Sequence, residues 1–369
     1  MDKTKKNNLI IIIPLIILLI VGTYMVYSSS SIWASYYYND SLYYFKRQII
    51  FVLIGLVLMF ILYKINLKII RKYSLILLIL GIISLILVII PGIGAKVNGS
   101  QSWYKIGSLM LQPSEIVKIF LVLYMADRLD RYYEITNKFF KTIIILLIPS
   151  IICFGLIMLQ PDFGSAIVMI GAIIMMCVFS KNKFKNYMVI GLIAIIAFII
   201  LIVSSEYRSE RILSFIDPYN DPLGSGFQTI QSLYAIGPGG ILGQGIDSSF
   251  QKYFYLPEPQ TDFIFAIFAE DYGFVGCVLL ILVYSIFIYG MINKSVNEKS
   301  NYKCFLDIGI ASLIIIQVLI NLSVVVGLIP VTGITLPFMS YGGSSITMLL
   351  AGVGLILNKG EKNEHITIR

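Results

Sequence analysis

The sequence predicts an all-α polytopic membrane protein with about ten transmembrane helices, on the basis of three observations. Residues of the AVILMFWYC set make up 58% of the 369 positions, and only 13% are charged. Soluble domains have nearer ~45–50% apolar and ~25% charged residues. The apolar residues are concentrated in long runs, and the basic residues cluster in alternate connections between those runs. This composition excludes a water-soluble domain.

The apolar runs define the predicted spans. A membrane-spanning helix needs roughly 20 predominantly apolar residues. Runs of this kind stand between charged residues, glycines and prolines, although some are shorter or contain glycine. In chain order the spans are 8–28, 48–63, 73–94, 113–126, 142–159, 164–180, 187–204, 263–292, 304–327 and 341–357. Pro113 suits the first turn of the fourth helix, where its missing N–H group would be unpaired in any residue. The whole chain, 1–369, is interpreted as one integral-membrane domain.

The distribution of basic residues predicts the orientation. Of the 28 Lys and Arg residues, 20 lie in the tails (1–7 and 358–369) and in the connections on the same side, and seven lie in the opposite connections. Because cytoplasmic loops are enriched in Lys and Arg, both termini are predicted to be cytoplasmic. A large extracellular loop, about 205–261, then joins helices 7 and 8. The same distribution explains most of the net charge of +8, so no nucleic-acid partner is indicated.

Few residue types are available for catalysis or metal binding. The single histidine, His365, lies near the C-terminal end, so Ser-His-Asp and Cys-His catalysis are excluded. A general base must be a carboxylate, a lysine or a tyrosine. The four cysteines stand singly, without a CxxC pair. Neither a disulfide framework nor a zinc site is therefore indicated.

Ionisable side chains inside the spans are the first candidate functional residues, because they are costly there. Glu115 and Lys118 lie three residues apart in the fourth span and share a helix face. They form either a structural ion pair or part of a polar site. The eighth and ninth spans add Glu270, Asp271 and Asp307.

Polar residues at the outer ends of the spans are the second group. Trp103 lies in an outer turn, where it is either an interfacial anchor or a site residue. Asp162 in a short outer turn is either a helix N-cap or a site residue, and the same choice applies to Asp262 at the start of the eighth span. The uncharged segment 327–345 contains two prolines and four glycines before its final serines. Irregular backbone at membrane depth must be buried in protein or line a watery cavity, so this segment indicates a cavity on the outer side.

Five ordered motifs resemble the SEDS family (shape, elongation, division and sporulation). They are PSEIVK (113–118), QPDFGSA (160–166), RILSFIDP (211–218), SLYAIGPGG (232–240) with QKYFYLPEPQTDFIFAI (251–267), and GLIPVTGITLPFMSYGGSS (327–345). The similarity extends from about Lys46 to Leu357. Within the family, the chain resembles the FtsW and SpoVE branch more than RodA.

The resemblance implies a peptidoglycan glycosyltransferase. Such an enzyme polymerises lipid II on the outer face of the cytoplasmic membrane and releases undecaprenyl pyrophosphate. Its implied partners are a class B penicillin-binding protein that cross-links the strands and other membrane proteins of division or sporulation. The family's catalytic aspartate falls on Asp262. The substrate-binding residues are expected among Glu115, Lys118, Trp103, Asp162, Arg211, Lys252 and Glu258.

The chain departs from the family pattern at three places. Ser102 stands where many relatives have arginine before the tryptophan, which puts a pyrophosphate contact at that position in doubt. Gly245-Ile-Asp247 replaces a common GLG sequence, and Asp271 follows Glu270 where relatives have a second glutamate. None of these departures affects Asp262.

The chemistry of glycosyl transfer agrees with these assignments. A base must take the proton from the acceptor hydroxyl as it attacks the anomeric carbon, and Asp262 is the best-placed candidate. The leaving pyrophosphate needs positive charge, from Lys118, Arg208, Arg211, Lys252 or a divalent cation (Mg or Mn); no cofactor is certain. Two other functions are open: a lipid II flippase or other polyprenyl-lipid transporter, and a non-enzymatic scaffold of the division machinery.

Overall fold

The structure is a computed structural model that describes residues 3–97, 99–107, 109–131, 146–180, 214–224, 226–246 and 249–360. These residues form mainly α-helices, labelled here in chain order. The helices are α1 (Lys3–Tyr38), α2 (Tyr43–Lys64), α3 (Leu67–Ile89), α4 (Pro113–Arg131), α5 (Ile148–Leu159), α6 (Phe163–Phe179), α7 (Phe227–Gly239), α8 (Ile264–Val296), α9 (Asn301–Val325) and α10 (Gly343–Leu357).

Most of the predicted spans correspond to a helix. Five helices are long and apolar enough to cross a membrane, namely α1 from Asn8 onward, α2, α3, α8 and α9, and α5, α6 and α10 are shorter apolar helices. The predicted spans at 113–126 and 142–159 overlap α4 and α5. The seventh predicted span, 187–204, lies outside the described residues. Helix α7 is not one of the predicted spans.

A small antiparallel sheet follows α3 and corrects the purely α-helical prediction. Its strands are β1 (Ala95–Val97), β2 (Ser100–Ile106) and β3 (Leu109–Leu111), in the order β1-β2-β3. The side-chain amide of Gln101 on β2 donates to the carbonyls of residues 88–90, at 3.1–3.3 Å. Those carbonyls end α3 and lack partners within the helix. The hydroxyl of Tyr104 also donates to Ser84 O at 2.7 Å. The sheet is therefore attached to the end of α3.

The helices pack around α9. Helix α9 contacts α4, α6 and α8 along its length, and its apolar residues are largely buried. Helix α2 packs mainly against α1 and α10, whereas α3 packs against α4 and α5. The connection between α2 and α3 is only two residues long, and Asn66 caps α3 by accepting from Lys68 N at 2.9 Å. The two helices of this hairpin therefore have different neighbours.

The described part of the long loop before α8 contains α7 and a 3-10 turn at Pro218–Asn220, which the sequence did not predict. Its residues 240–245, here called the clasp, pack against a break in α8 at Gly273, where φ is 64° and ψ is −164°. Main-chain bonds of 2.9–3.1 Å join the two segments: Phe274 N to Gly240 O, Val275 N to Ile241 O, Gln244 N to Glu270 O, and Gly245 N to Asp271 O. The clasp thus satisfies main-chain groups that the break leaves without helical partners.

The segment between α9 and α10 is irregular, as the sequence predicts, and several of its side chains are buried in the protein. Leu336, Phe338 and Met339 are each no more than 2% exposed. The hydroxyl of Tyr284 on α8 donates to Pro337 O at 2.6 Å, and Ser340 Oγ accepts from Leu336 N at 2.8 Å. This segment therefore returns into the protein between α9 and α10.

Candidate active site around Asp262

Asp262 lies immediately before α8 and is half-buried. The helix begins at Ile264, and the N-cap residue is Phe263, which makes no side-chain cap bond. Asp262 is therefore not the N-cap residue, which was the structural alternative for this carboxylate. Its Oδ1 atom accepts a hydrogen bond from Thr261 Oγ1 at 2.9 Å. The carboxylate thus lies just before the start of α8, where it is partly accessible to solvent.

Glu258 shapes the turn that precedes Asp262. Its φ angle is 45°, in the left-handed region, and its carbonyl accepts from both Thr261 N and Thr261 Oγ1, at 3.1 and 2.8 Å. Thr261 therefore links the carbonyl of Glu258 to the carboxylate of Asp262. The Glu258 side chain is half-buried.

Asn321 on α9 fixes the main chain at Asp262, although the sequence analysis did not identify it. Its amide nitrogen donates to Asp262 O and to Ile334 O, both at 2.7 Å. Asn321 is 1% exposed. The sequence contains a signal for this role, because burying an asparagine inside an apolar span costs free energy unless it forms hydrogen bonds. The signal is weak, because the neighbouring residues in the sequence are uncharged and do not indicate a site.

Glu115 and Lys118 form an ion pair near the start of α4, which is one of the two interpretations that the sequence left open. Helix α4 begins at Pro113, as predicted, and Lys118 Nζ lies 2.8 Å from Glu115 Oε1. Both residues are buried. Among the residues that the structure describes, Glu115 is the hydrogen-bond partner of the Lys118 ammonium. Two of the three N–H groups of Lys118 are therefore left for other acceptors.

Asp162 is the N-cap of α6, as one of the two interpretations predicted. Its Oδ1 accepts from Ser165 N at 3.2 Å, and its Oδ2 accepts from Gln112 Nε2 and Ser114 Oγ at 2.8 and 3.0 Å. These bonds also attach the start of α6 to the start of α4. The carboxylate therefore has a clear structural role, with both oxygens occupied.

The starts of α4, α6, α8 and α10 meet at one end of the bundle, around the irregular segment between α9 and α10. Ile334 of that segment lies against Gly164 of α6, and Thr335 Oγ1 donates to Ser345 Oγ of α10 at 3.3 Å. At the start of α10, Ser344 Oγ accepts from Gln112 N at 3.0 Å. Each helix start carries a partial positive charge. This end of the molecule therefore suits an anion.

Trp103 lies on β2, paired in register with Ala95, and its side chain is half-buried. Ser102, which stands where many relatives have arginine, is 1% exposed, and its hydroxyl shares a hydrogen bond of 2.9 Å with the hydroxyl of Ser100. Ser100 Oγ also donates to Gln160 O. The sheet is thus tied to the turn that carries Asp162. Arg208 and Arg211 lie outside the described residues.

Lys252, which the sequence offered as a pyrophosphate contact, lies in a buried hydrogen-bond network of the protein. Its ammonium donates to Asp271 Oδ2 at 2.7 Å, to Ser28 Oγ at 2.8 Å and to Ile246 O at 3.1 Å. These bonds occupy all three of its N–H groups, and the residue is 3% exposed. The sequence could not reveal this network, which joins α1, the loop after the clasp and α8. Lys252 has no free donor for a pyrophosphate.

Glu270 and Asp307, which the sequence marked as candidate functional residues, are also buried and paired. Glu270 accepts from Ser249 Oγ at 2.6 Å and from Phe250 N at 2.8 Å, so it anchors the loop to α8. Asp307 accepts from Lys303, which also donates to Ile356 O at 3.0 Å. The latter pair joins the start of α9 to the end of α10, at the end of the bundle away from Asp262.

No group of three or more His, Cys, Asp or Glu side chains that could hold a metal ion occurs in the described part of the chain. Near Asp262, the carboxylates of Asp162 and Glu115 already have partners.

Comparisons with known proteins agree with this architecture. A family model described as cell cycle protein, of FtsW, RodA and SpoVE, matches residues 8–365. Stage V sporulation protein E of Bacillus subtilis (strain 168) is 44% identical over 313 residues, which cover 85% of this chain and 86% of that protein. A probable peptidoglycan glycosyltransferase FtsW of Trichlorobacter lovleyi is 38% identical over 313 residues, with coverages of 85% and 82%.

Solved structures have the same fold. One, of a peptidoglycan synthase complex that coordinates polymerization and crosslinking, aligns with a TM-score of 0.73 and 30% identity, covering 93% of this chain and 95% of that one. The crystal structure of the rod shape determining protein RodA from Thermus thermophilus aligns with a TM-score of 0.67 and 25% identity, covering 94% of both chains. With its apolar helices, this multi-pass membrane protein belongs to the FtsW, RodA and SpoVE family of cell cycle proteins.

Proposed function

We propose that this protein is a peptidoglycan glycosyltransferase that polymerises lipid II into glycan strands and releases undecaprenyl pyrophosphate. The observation that carries the proposal is the half-buried carboxylate of Asp262, which lies where four helix starts meet. Family membership supports the activity, since several relatives are named probable peptidoglycan glycosyltransferase FtsW.

Asp262 is the general base in this proposal. As the acceptor hydroxyl attacks the anomeric carbon of the donor, a C–O bond forms, the bond to the pyrophosphate oxygen breaks, and the hydroxyl proton passes to the carboxylate. A positioned carboxylate contributes roughly 10²–10⁴-fold in such a role. The partial exposure of Asp262 lets it reach a substrate while Thr261 holds one of its oxygens.

The leaving pyrophosphate is stabilised by Lys118 and by the positive ends of the surrounding helices. Two N–H groups of Lys118 have no partner among the described residues, in contrast to Lys252. Donors that are fixed in advance where negative charge develops are effective, because they need no reorganisation during the reaction. Arg211, Arg208, Trp103 and Glu258 are proposed further contacts, and Asp162 with Glu115 orients the helix starts.

A divalent cation is a proposed assistant rather than a resident cofactor. It would bind the pyrophosphate oxygens, and Asp262 could serve as a carboxylate ligand from the chain, because it is half-buried and does not cap a helix. The chemistry it would supply is neutralisation of the leaving group. Polymerisation with and without EDTA tests this part of the proposal separately.

The membrane arrangement and the partners complete the proposal. Ten spans with both termini in the cytoplasm would place Asp262 and the loop 205–261 outside, in agreement with the positive-inside rule. A class B penicillin-binding protein is the proposed partner, supported by the similar chain in a peptidoglycan synthase complex. Division or sporulation is the proposed setting, with other membrane proteins of that process, because similar chains are named FtsW and stage V sporulation protein E.

The test is polymerisation of purified lipid II by the detergent-solubilised protein, without ATP or an ion gradient. We expect Asp262→Asn to lower the rate by roughly 10²–10⁴-fold, because the proton acceptor is lost. Asp40→Asn is the matched control, since Asp40 pairs with Lys46 at the same end of the bundle, at 2.8 Å, and should leave the rate unchanged.

Three outcomes would contradict the proposal. Near-wild-type polymerisation by Asp262→Asn would rule out Asp262 as the base. Movement of labelled lipid II across vesicle membranes, with no polymer formed by the wild type, would instead indicate a carrier. If the wild type forms no polymer and moves no lipid, the non-enzymatic scaffold function would be favoured instead.

A further inference from the structure

We infer that Asn321 is a positioning residue for the reaction, which holds Asp262 at a fixed distance from the segment that borders the helix starts. This inference rests on the proposed function, because it concerns the orientation of the proposed base. Asn321 lies on α9, 59 residues from Asp262 in sequence, and contacts its main chain rather than its carboxylate.

The geometry of the Asn321 amide is determined by its two acceptors. Both N–H groups donate to main-chain carbonyls, of Asp262 and Ile334, at 2.7 Å. Only the NH2 side of an amide can face two carbonyls, so the orientation of the side chain is unambiguous. Asn321 Oδ1 is buried and has no hydrogen-bond partner among the residues that the structure describes. The burial of Asn321 is therefore compensated mainly by the two bonds to Asp262 and Ile334.

The bond to Asp262 O fixes the main chain that carries the carboxylate. The first main-chain bond at the start of α8 is Ala266 N to Phe263 O at 2.9 Å. The carbonyl of Asp262 thus lies just outside the helix, and Asn321 binds it from another element. Fixing this carbonyl restricts ψ of Asp262. The remaining freedom is in the side chain, where Thr261 binds Oδ1.

The bond to Ile334 O connects the base to the opposite side of the proposed site. Ile334 packs against Gly164 at the start of α6, and the next residue, Thr335, bonds to Ser345 at the start of α10. Asn321 therefore bonds to two segments: the one that carries the base, Asp262, and the one that contains Ile334 and borders the helix starts. A small error in their separation would misalign the base with the acceptor, and such errors lower rates strongly.

Asn358 offers a matched control at the other end of the bundle. Its amide nitrogen also donates to two carbonyls, of Leu62 and Ile65, at 2.8 and 2.9 Å. It is 4% exposed, against 1% for Asn321. Both side chains thus cross-link main-chain segments from a buried position. Only Asn321 does so next to Asp262.

The test compares Asn321→Leu with Asn358→Leu in full-length protein, by lipid II polymerisation kinetics and thermal unfolding in detergent. Asn321→Leu removes two hydrogen bonds, and Asn358→Leu removes three because Asn358 Oδ1 also accepts from Gly360 N at 3.0 Å, so we expect both variants to unfold at a lower temperature. For Asn321→Leu we expect kcat to fall roughly 10–100-fold while KM for lipid II changes less than about threefold. For Asn358→Leu we expect kcat to stay within about threefold of the wild type.

A second variant keeps the test decisive if Asn321→Leu does not fold. Asn321→Ser retains one donor, so we expect a smaller decrease in kcat, about 3–10-fold, again without a matching change in KM. Wild-type kcat in both folded Asn321 variants would overturn the inference, as would an equal loss of kcat in Asn358→Leu.

The outcome also separates this inference from the proposed function. If Asp262→Asn is inactive while the Asn321 variants are fully active, the base assignment stands and only the role of Asn321 fails. If Asp262→Asn is fully active, the base assignment fails first, and the role of Asn321 fails with it.

Discussion

Lys118 and Lys252 show how two buried lysines, both proposed from sequence as pyrophosphate contacts, differ in their surroundings. Lys252 donates to Asp271, to Ser28 and to a main-chain carbonyl, which uses all of its N–H groups. Lys118 is bound by Glu115, and its other two N–H groups have no partner in the described part of the chain. Both are no more than 3% exposed, so burial alone does not distinguish them. The number of N–H groups that have a hydrogen-bond partner distinguishes the two lysines.

This difference in donor pairing predicts that two matched double variants will differ in activity. Glu115→Gln with Lys118→Gln, and Lys252→Gln with Asp271→Asn, each replace a buried ion pair by neutral residues that can still form hydrogen bonds. Removing both charges of a pair is far less destabilising than removing one. We therefore expect both double variants to unfold near the wild-type temperature.

Activity should separate the two double variants. Loss of the Lys118 charge should lower kcat/KM for lipid II polymerisation by roughly 10²–10³-fold, the range for loss of one donor to a developing negative charge. The Lys252 and Asp271 double variant should stay within about threefold of the wild type. Retention of activity by the Glu115 and Lys118 double variant would show that the pyrophosphate does not use the charge of Lys118.

Local patterns were sufficient for some site residues but not for others. The start of α4 at Pro113, the Glu115–Lys118 pair and the capping alternative for Asp162 follow from spacings of at most four residues, and the structure has all three. The roles of Asn321 and Lys252 depend on partners from distant parts of the chain. No local pattern encodes those partners.

The clasp contains glycines beside the break in α8. Gly243 and Gly245 in the clasp both have positive φ angles, 85° and 88°. A Cβ atom at Gly243 would lie 2.2 Å from Asp271 O, whereas a Cβ atom at Gly245 would have no neighbour within 4 Å. An alanine would therefore have an unfavourable φ angle at either position, but its Cβ atom would collide with main chain only at Gly243.

The pair Gly243→Ala and Gly245→Ala separates these two effects. Left-handed backbone costs an alanine about 1–2 kcal/mol, so Gly245→Ala should lower stability only by that amount. Gly243→Ala adds a collision with main chain, and we expect a much larger loss of stability and detachment of the clasp from α8. Unfolding in detergent measures both. Equal destabilisation by the two variants would mean that close packing of the clasp on α8 is not important.

Several elements could not be predicted because they lack a strong hydrophobic signal. The strands β1 and β3 are three residues long, and β2 has the sequence SQSWYKI, without a regular alternation of apolar and polar residues. Helix α7 contains Pro238 and two glycines, which disfavour helix, yet it packs against α8, where Gly239 meets Ala269 O. Tertiary contact outweighs low propensity there. The long apolar helices, in contrast, followed directly from composition.

Charge is distributed unequally between the two ends of the whole molecule. Outside the buried pairs, the end away from Asp262 has Lys64, Lys68, Arg71, Lys72, Arg128, Arg131, Lys294, Lys299 and Lys359, whereas the end with Asp262 has Lys46, Arg47, Lys96 and Lys105. Arg71 and Arg131 are partly neutralised by Asp127, at 2.8 and 2.7 Å. A strongly basic end is typical of the cytoplasmic side of a membrane protein.

This asymmetry predicts the orientation of the protein, which can be measured with single cysteines. The native residues Cys153, Cys177, Cys277 and Cys304 are free thiols and would first be replaced by serine or alanine. Leu223→Cys then reports on the end with Asp262, since Leu223 is 88% exposed in the turn before α7. Lys299→Cys reports on the opposite end, in the exposed connection between α8 and α9.

In intact cells, a membrane-impermeant maleimide should label Leu223→Cys and not Lys299→Cys. After the membrane is permeabilised, both should be labelled, which controls for thiol reactivity. The physical reason is that moving the basic end across the membrane would carry many uncompensated charges through hydrocarbon. The reverse labelling pattern would place Asp262 in the cytoplasm, where lipid II could not be polymerised on the outer face, and the proposed function would then have to be abandoned.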